Sequence, residues 1–133
     1  MRKVLKLNER TNVVLIDSVT EVQADDAGAI IVTGSHAGMS VVNYTLAYPI
    51  QAAFFNDAGV GKDDAGIAAL AILQDNGIPA GTVAHTSARI GDATDTYTNG
   101  VISHVNQVAE SFGINAGDTL NGAIDRYLDG NNR

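Results

Sequence analysis

The sequence has no cysteine and no tryptophan, and it contains only two prolines. The absence of cysteine excludes disulfides, thiolate catalysis and cysteine-ligated zinc. No apolar run approaches the length of about 18 residues that a membrane-spanning helix requires. The amino-terminal segment Met1–Lys6 becomes polar too early for a signal peptide. We therefore expect a cytoplasmic domain without a membrane segment.

Positive charge is scarce. The chain has 8 Lys and Arg residues against 15 Asp and Glu residues, which gives a net charge of −7 at pH 7. A protein of this charge repels a nucleic acid backbone or an anionic membrane at long range, so we expect neither as a partner. Because 45% of the 133 residues are hydrophobic, a real core is expected, and the length favours one domain over residues 1–133.

Short apolar runs punctuated by glycine predict four strands, at residues 13–16, 29–33, 52–55 and 80–84. These runs are continuous rather than alternating, which is typical of strands buried on both faces of a mostly parallel sheet.

Four other segments have apolar residues at helical spacing, at residues 39–48, 63–76, 97–112 and 118–129. The resulting order of elements predicts an α/β fold. We expect a single three-layer, Rossmann-like domain with helices on both faces of the sheet.

Ligands of such sheets bind beyond the carboxyl ends of the strands, and three of the predicted ends carry polar residues. At the second strand, Gly34 and Gly38 flank Ser35 and His36. Glycine allows the backbone to approach a ligand, His36 is a candidate general acid or base, and Ser35 is a candidate nucleophile. The alternative is a tight strand-to-helix turn with Ser35 as a cap and His36 on the surface.

A glycine-rich segment after the third strand resembles a phosphate-binding loop but lacks its key residues. A Walker loop needs glycine where Asn56 stands and Ser or Thr where Asp63 stands, and a dinucleotide fingerprint needs glycine where Asp64 stands. No cofactor is therefore expected. We expect Asn56 to bind substrate, Asp57 to transfer a proton and Lys62 to neutralise an anion. In the alternative, Asp57 binds the amides of its own loop.

The fourth predicted strand is followed by Ser87, Arg89 and Asp92. Arg89 can hold a carboxylate through two parallel hydrogen bonds, Asp92 can orient Arg89, and Ser87 is a second candidate nucleophile. The alternative is an internal Arg89–Asp92 salt bridge that holds the loop.

A metal site is a separate hypothesis. His36, Asp57 and His85 form a ligand set that suits zinc or iron, although no motif of metal-binding spacing supports it.

The combined pattern predicts an enzyme that acts on a small anionic, carboxylate-bearing metabolite. The two reaction types that fit are hydrolysis of an amide-like bond and proton abstraction by an isomerase or lyase. Two other classes stay open: a non-catalytic ligand-binding or regulatory subunit, and a structural subunit whose two last helices form the interface. A homo-oligomer is expected in each case.

Overall fold

In the described part of the chain, six strands form one sheet, and their order in space follows their order in the sequence. They are β1 (Arg2–Lys6), β2 (Asn12–Ile16), β3 (Ile30–His36), β4 (Ala52–Asn56), β5 (Ala80–Val83) and β6 (Ile102–Val105). The computed structural model describes residues 1–131 and shows an α/β domain built on this sheet.

The sheet is mostly parallel. Strands β2, β3, β4 and β5 run parallel to one another, whereas β1 pairs antiparallel with β2, and β6 pairs antiparallel with β5. The carboxyl ends of the four parallel strands therefore lie at one edge of the sheet, which we call the carboxyl edge. The amino end of β6 lies at the same edge.

Within residues 1–131, five α-helices accompany the sheet: α1 (Val42–Thr45), α2 (Ala69–Asp75), α3 (Ala93–Asn99), α4 (Gln107–Ser111) and α5 (Leu120–Asn131). Successive residues of the parallel strands alternate between two hydrophobic clusters, as the two-residue period of a strand requires. One cluster includes Leu70 and Leu73 of α2. The other includes Ala93 of α3, Ala109 of α4 and Leu120 of α5. Within residues 1–131, no helix is long and apolar enough to cross a membrane.

The four predicted strands are confirmed, but the predicted helix over residues 97–112 is wrong. This segment contains the end of α3, the whole of β6 and the whole of α4. Helix α3 ends at Gly100, where a Cβ atom would lie 2.3 Å from the carbonyl oxygen of Thr96 and would not fit. Helix α4 begins because the Asn106 side chain caps the backbone N–H of Ala109.

The helix predicted at residues 118–129 is confirmed as α5 (Leu120–Asn131), whereas the helices predicted at residues 39–48 and 63–76 are shorter than their apolar patterns indicated. Helix α2 begins only at Ala69, because the chain before it forms a 3-10 turn, Lys62–Asp64, with backbone outside the helical region. The segment at residues 39–48 contains only a 3-10 turn and the single helical turn of α1. Strand β1 was not predicted, because its alternation of basic and apolar residues lacks a continuous hydrophobic run.

Candidate active site

Asp57 is a carboxylate buried at the carboxyl edge, directly after β4. Its Oδ1 atom accepts hydrogen bonds from the backbone N–H of Gly59 at 2.8 Å and from that of His85 at 3.0 Å. The Nδ1 atom of His85 lies 3.1 Å from the same oxygen. The side chain of Asp57 is 6% exposed and that of His85 is 55% exposed. A buried acid is thus bonded to an exposed imidazole.

The hydrogen bonds of Asp57 keep it ionised. Burial by itself raises the pKa of this carboxyl group, but hydrogen bonds from the backbone N–H groups of Gly59 and His85 and from the His85 ring outweigh burial, so that its pKa is lowered overall. An ionised carboxylate has no proton to donate. The Nδ1 atom of His85 must therefore carry the proton of their shared hydrogen bond, and in the neutral ring Nε2 keeps its lone pair.

His36 has the opposite tautomer. The backbone N–H of Gly38 donates a hydrogen bond of 2.8 Å to Nδ1 of His36. Because a backbone N–H can only donate, Nδ1 accepts, and the neutral ring carries its proton on Nε2. His36 can therefore donate a hydrogen bond to a substrate, whereas His85 can accept a proton from one.

The two histidines lie against consecutive residues of one loop. His36 lines a shallow cavity of about 220 Å³ together with Ala58. The position of a Cβ atom on Gly59 would be 3.7 Å from the His85 ring. His36 lies at the end of β3, and His85 follows the end of β5. Because these two strands lie on either side of β4, the backbones of the two strands are about 10 Å apart by the usual strand spacing.

The loop after β4 is held in an uncommon conformation. Ala58, Val60, Asp63 and Asp64 all have positive φ angles, between 53° and 67°. Such angles are costly for residues other than glycine, and they concentrate at functional sites. Gly66 closes the loop, since a Cβ atom there would lie 2.4 Å from the carbonyl oxygen of Asp57.

Neither candidate nucleophile forms a hydrogen bond with a histidine side chain. The hydroxyl oxygen of Ser35 accepts a hydrogen bond from the backbone N–H of Val19 at 2.9 Å. The hydroxyl of Ser87 donates to the carbonyl oxygen of Ala84 at 2.7 Å and accepts from the N–H of Val101 at 2.9 Å. The hydroxyl groups of both serines thus form hydrogen bonds with backbone groups of neighbouring segments.

Asn56 and Gly34 hold the loop that follows β5 against the carboxyl edge. Asn56 is fully buried, and its Nδ2 atom donates to the carbonyl oxygen of Ala88 at 2.9 Å. Gly34 accepts a hydrogen bond from the N–H of Gly91 at 2.7 Å, and a Cβ atom at Gly34 would lie 2.3 Å from the backbone nitrogen of Asp92. The structure therefore places both residues beneath the site, where they position its backbone.

Arg89 does not share a cavity with the Asp57–His85 pair. It lines a polar hollow of about 420 Å³ along α3, and neither histidine nor Asp57 is among the residues around this hollow. Asp92 caps α3 by accepting from the backbone N–H of Asp95. In residues 1–131, neither Arg89 nor the exposed Lys62 has a carboxylate within salt-bridge distance, so the internal Arg89–Asp92 salt bridge considered from the sequence is absent.

The metal hypothesis finds no supporting geometry. Across residues 1–131, no group of three or more His, Asp or Glu side chains is arranged to hold a metal ion, and this includes His36, Asp57 and His85.

Sequence reasoning placed His85 only among possible metal ligands. His85 follows the end of β5, and Asp57 follows the end of β4, so the adjacency of these strands was the available signal for the pair. No protein-family model, no curated protein and no solved structure matches this chain.

Proposed function

We propose that this protein is a proton-transfer enzyme that acts on a small anionic, carboxylate-bearing metabolite. His85 is the general base and Asp57 orients it. The observation that carries this proposal is the hydrogen bond between the buried carboxylate and Nδ1 of His85, which leaves Nε2 on the exposed side of the ring. Imidazole held in this way by a carboxylate is a common means of proton transfer in enzymes.

Proton abstraction fits the site better than nucleophilic hydrolysis. The bases and donors are in place, because Nε2 of His85 can take a proton and the Nε2–H group of His36 can bind the oxygen on which negative charge develops. A serine nucleophile would need a hydrogen bond to a histidine, and both Ser35 and Ser87 bond to backbone groups instead. We therefore favour an isomerase or lyase over a serine-dependent amide hydrolase.

The anionic substrate is proposed from the charges near the carboxyl edge. Lys62 lies in the loop after β4, and Arg89 lies in the loop after β5. Both side chains are exposed and without an ion pair in the described part of the chain. They can bind a carboxylate without first breaking an internal salt bridge. Lys62 is the cation in the same loop as Asp57, whereas Arg89 lines a separate hollow that also contains Asp92 and Asp95. We therefore propose Lys62 as the group that binds the carboxylate next to the Asp57–His85 pair.

The layer arrangement of the domain and its oligomeric state are also proposals. Helical residues occur in both hydrophobic clusters, which supports a three-layer, Rossmann-like domain with helices on both faces. The strand order without reversal differs from that of the doubly wound dinucleotide-binding sheet. A homo-oligomer located in the cytoplasm, with no nucleic acid or membrane partner, stays a prediction.

The experiment that tests this function does not require a known substrate. The protein is incubated in D₂O with a panel of small carboxylic acids, and proton NMR follows the loss of each carbon-bound proton next to a carboxylate or carbonyl group. We expect exchange of at least one acid, and we expect His85→Gln to slow it by about 10²–10⁴-fold, the usual contribution of a general base. Glu110→Gln, an exposed substitution on α4, serves as the control.

Other functional classes, or another catalytic base, would give different results in this exchange experiment. An acid that raises the melting temperature without exchange or turnover would identify a non-catalytic ligand-binding subunit. Exchange that His36→Gln abolishes and His85→Gln preserves would transfer the role of base to His36. If no acid in the panel bound at all, the anionic substrate class would be wrong.

A further inference from the structure

Strand β1 lies at one edge of the sheet, and within residues 1–131 only one of its two sides is paired with another strand. The backbone N–H of Asp17 donates to the carbonyl oxygen of Met1 at 3.2 Å, so these two residues form a hydrogen-bonded pair in the antiparallel ladder of β1 and β2. Because hydrogen-bonded and non-bonded pairs alternate along such a ladder, the backbone N–H and C=O groups of Arg2, Val4 and Lys6 point away from β2. An edge of this kind can accept a further strand.

Exposed apolar side chains lie along the same edge. Met1 is 53% exposed, Val4 is 50% exposed, and Leu7, directly after the strand, is 38% exposed. Leu5 packs against the cluster that contains α5, so Val4, its neighbour in the strand, lies on the opposite face of the sheet. Exposed apolar residues that are grouped on one strand indicate a surface that a partner covers.

The two ends of β1 differ in charge. Arg2 forms an ion pair with the buried Asp26, whose Oδ2 atom lies 3.1 Å from Nη1 of the arginine. Glu21 and the exposed Asp25 lie in the short 3-10 turns that contact or contain this pair, so three carboxylates surround one guanidinium. Lys6, at the other end of the strand, is exposed and has no carboxylate within salt-bridge distance in the described residues.

We propose that β1 pairs antiparallel with β1 of a second copy of this chain, about a twofold axis at Val4. In this register the two Val4 side chains lie opposite each other on one face, and Lys6 of each copy lies opposite Arg2 of the other. Each lysine is thereby placed beside the three carboxylates that surround that arginine. The contact is the same in both directions, as a twofold interface requires, and it joins two six-stranded sheets into one.

The other face of the paired strands is also complementary in charge. Lys3 of one copy lies diagonally across from Leu7 of the second copy, and Met1 lies directly opposite Leu7. Leu7 lines a hollow of about 270 Å³ together with Asp125 and Asp129 of α5. The exposed Lys3 is therefore within reach of two carboxylates of the second copy.

This distribution of charge favours a second copy over an unrelated strand. Lysine on an edge strand normally repels other strands and prevents unwanted pairing. Lys3 and Lys6 therefore select a partner that has carboxylates at matching positions, and this chain provides them. The inference goes beyond the proposed function, because it concerns assembly and does not depend on the reaction at His85.

Sedimentation equilibrium of the full chain, over a range of micromolar concentrations, tests the pairing. We expect a monomer–dimer equilibrium for the wild type and a monomer for Val4→Pro, because proline has no N–H to donate to the second copy. Proline is tolerated on edge strands where the N–H faces solvent, so Val4→Pro should keep the fold, as circular dichroism will report. Val4→Thr retains the N–H group and is the matched control that should still form a dimer.

Two charge reversals test the register. Lys6→Glu and Asp25→Lys each place like charges at both symmetric contacts of a homodimer, and each should raise the Kd by about tenfold or more. An equal mixture of the two variants, with one of them fluorescently labelled, restores opposite charges at both contacts and should form a heterodimer with a Kd near that of the wild type. Glu110→Lys, which changes the net charge as Asp25→Lys does but lies on α4, should leave the Kd unchanged.

Three results would contradict the proposal. A wild type that stays monomeric at every concentration would show that β1 does not pair with a second copy, and would leave an extended acidic peptide as a different occupant of the edge. A Val4→Pro variant that forms dimers as readily as the wild type would place the interface elsewhere. If both charge variants are folded monomers and their mixture forms no heterodimer, the twofold register at Val4 is wrong. None of these results affects the hydrogen-exchange test of His85, so the two proposals can fail separately.

Discussion

Replacing Asp57 with asparagine tests the link between the hydrogen bonds of this residue and the stability of the fold. The asparagine oxygen can accept the same bonds from Gly59 and His85, so the substitution preserves the shape of the site and removes its charge. A hydrogen bond to a charged acceptor contributes about 1.5–3 kcal/mol, against about 0.5–1.5 kcal/mol for a neutral one. Removing the charge also removes its burial penalty. We expect a net loss of about 1–2 kcal/mol at neutral pH.

The pH dependence of this loss follows from the direction of the pKa shift. The pKa of Asp57 in the folded protein is below its ordinary value of 3.8. Its contribution to stability is therefore complete above the pKa of the unfolded chain, and it disappears as the pH falls through the lower pKa of the folded state. The difference in stability between the wild type and Asp57→Asn should consequently narrow as the pH falls below about 4.

Urea unfolding followed by circular dichroism, near pH 7 and at several values below pH 4, measures this difference. Asp75→Asn, at the exposed end of α2, is the matched control and should change stability by less than about 0.5 kcal/mol. Two results would refute the reasoning: an Asp57→Asn variant as stable as the wild type near pH 7, or a difference that widens on acidification.

Two further substitutions address the loops and the edge of the sheet. Gly66→Ala should destabilise the protein by about 1–3 kcal/mol in thermal unfolding, because its Cβ atom would lie 2.4 Å and 2.8 Å from carbonyl oxygens of the loop after β4. Gly130→Ala has open space and should be neutral or stabilising. Arg2→Met should cost about 3–5 kcal/mol, because it leaves the carboxylate of Asp26, which is 1% exposed, without its ion-pair partner. Lys3→Met, on the exposed part of the same strand, should change stability little, and equal losses from both would contradict this assignment.

The sequence predicted the parallel centre of the sheet because that centre is buried on both sides. Continuous apolar runs such as Val13–Ile16 are distinctive wherever both faces of a strand are covered. The edge strands are different, since they are partly exposed and carry polar residues. Val101, just before β6, and Val105, at its end, also fit the spacing of a helix with Val108 and Phe112, so periodicity alone favoured the wrong element.

The position of the candidate site at the carboxyl edge could be predicted from the sequence, but the hydrogen bond between Asp57 and His85 could not. Topology brings Asp57 and His85 to one edge because they end adjacent parallel strands. Which histidine has an Nε2 atom that can accept a proton depends on the hydrogen bond that its Nδ1 atom makes, and this bond requires coordinates. That Arg89 lines a hollow along α3 could likewise not be predicted from the sequence.

The agreement between the order of strands in space and their order in the chain has a consequence for synthesis on the ribosome. Each new strand can dock against the strand completed just before it, and no strand has to be inserted between two that are already paired. Local pairing of this kind involves small loop-closure costs and favours rapid folding. The nascent chain can therefore assemble its sheet progressively from the amino terminus. The hydrogen bond between Asp57 and His85 can form as soon as β5, the strand that follows β4, has been synthesised.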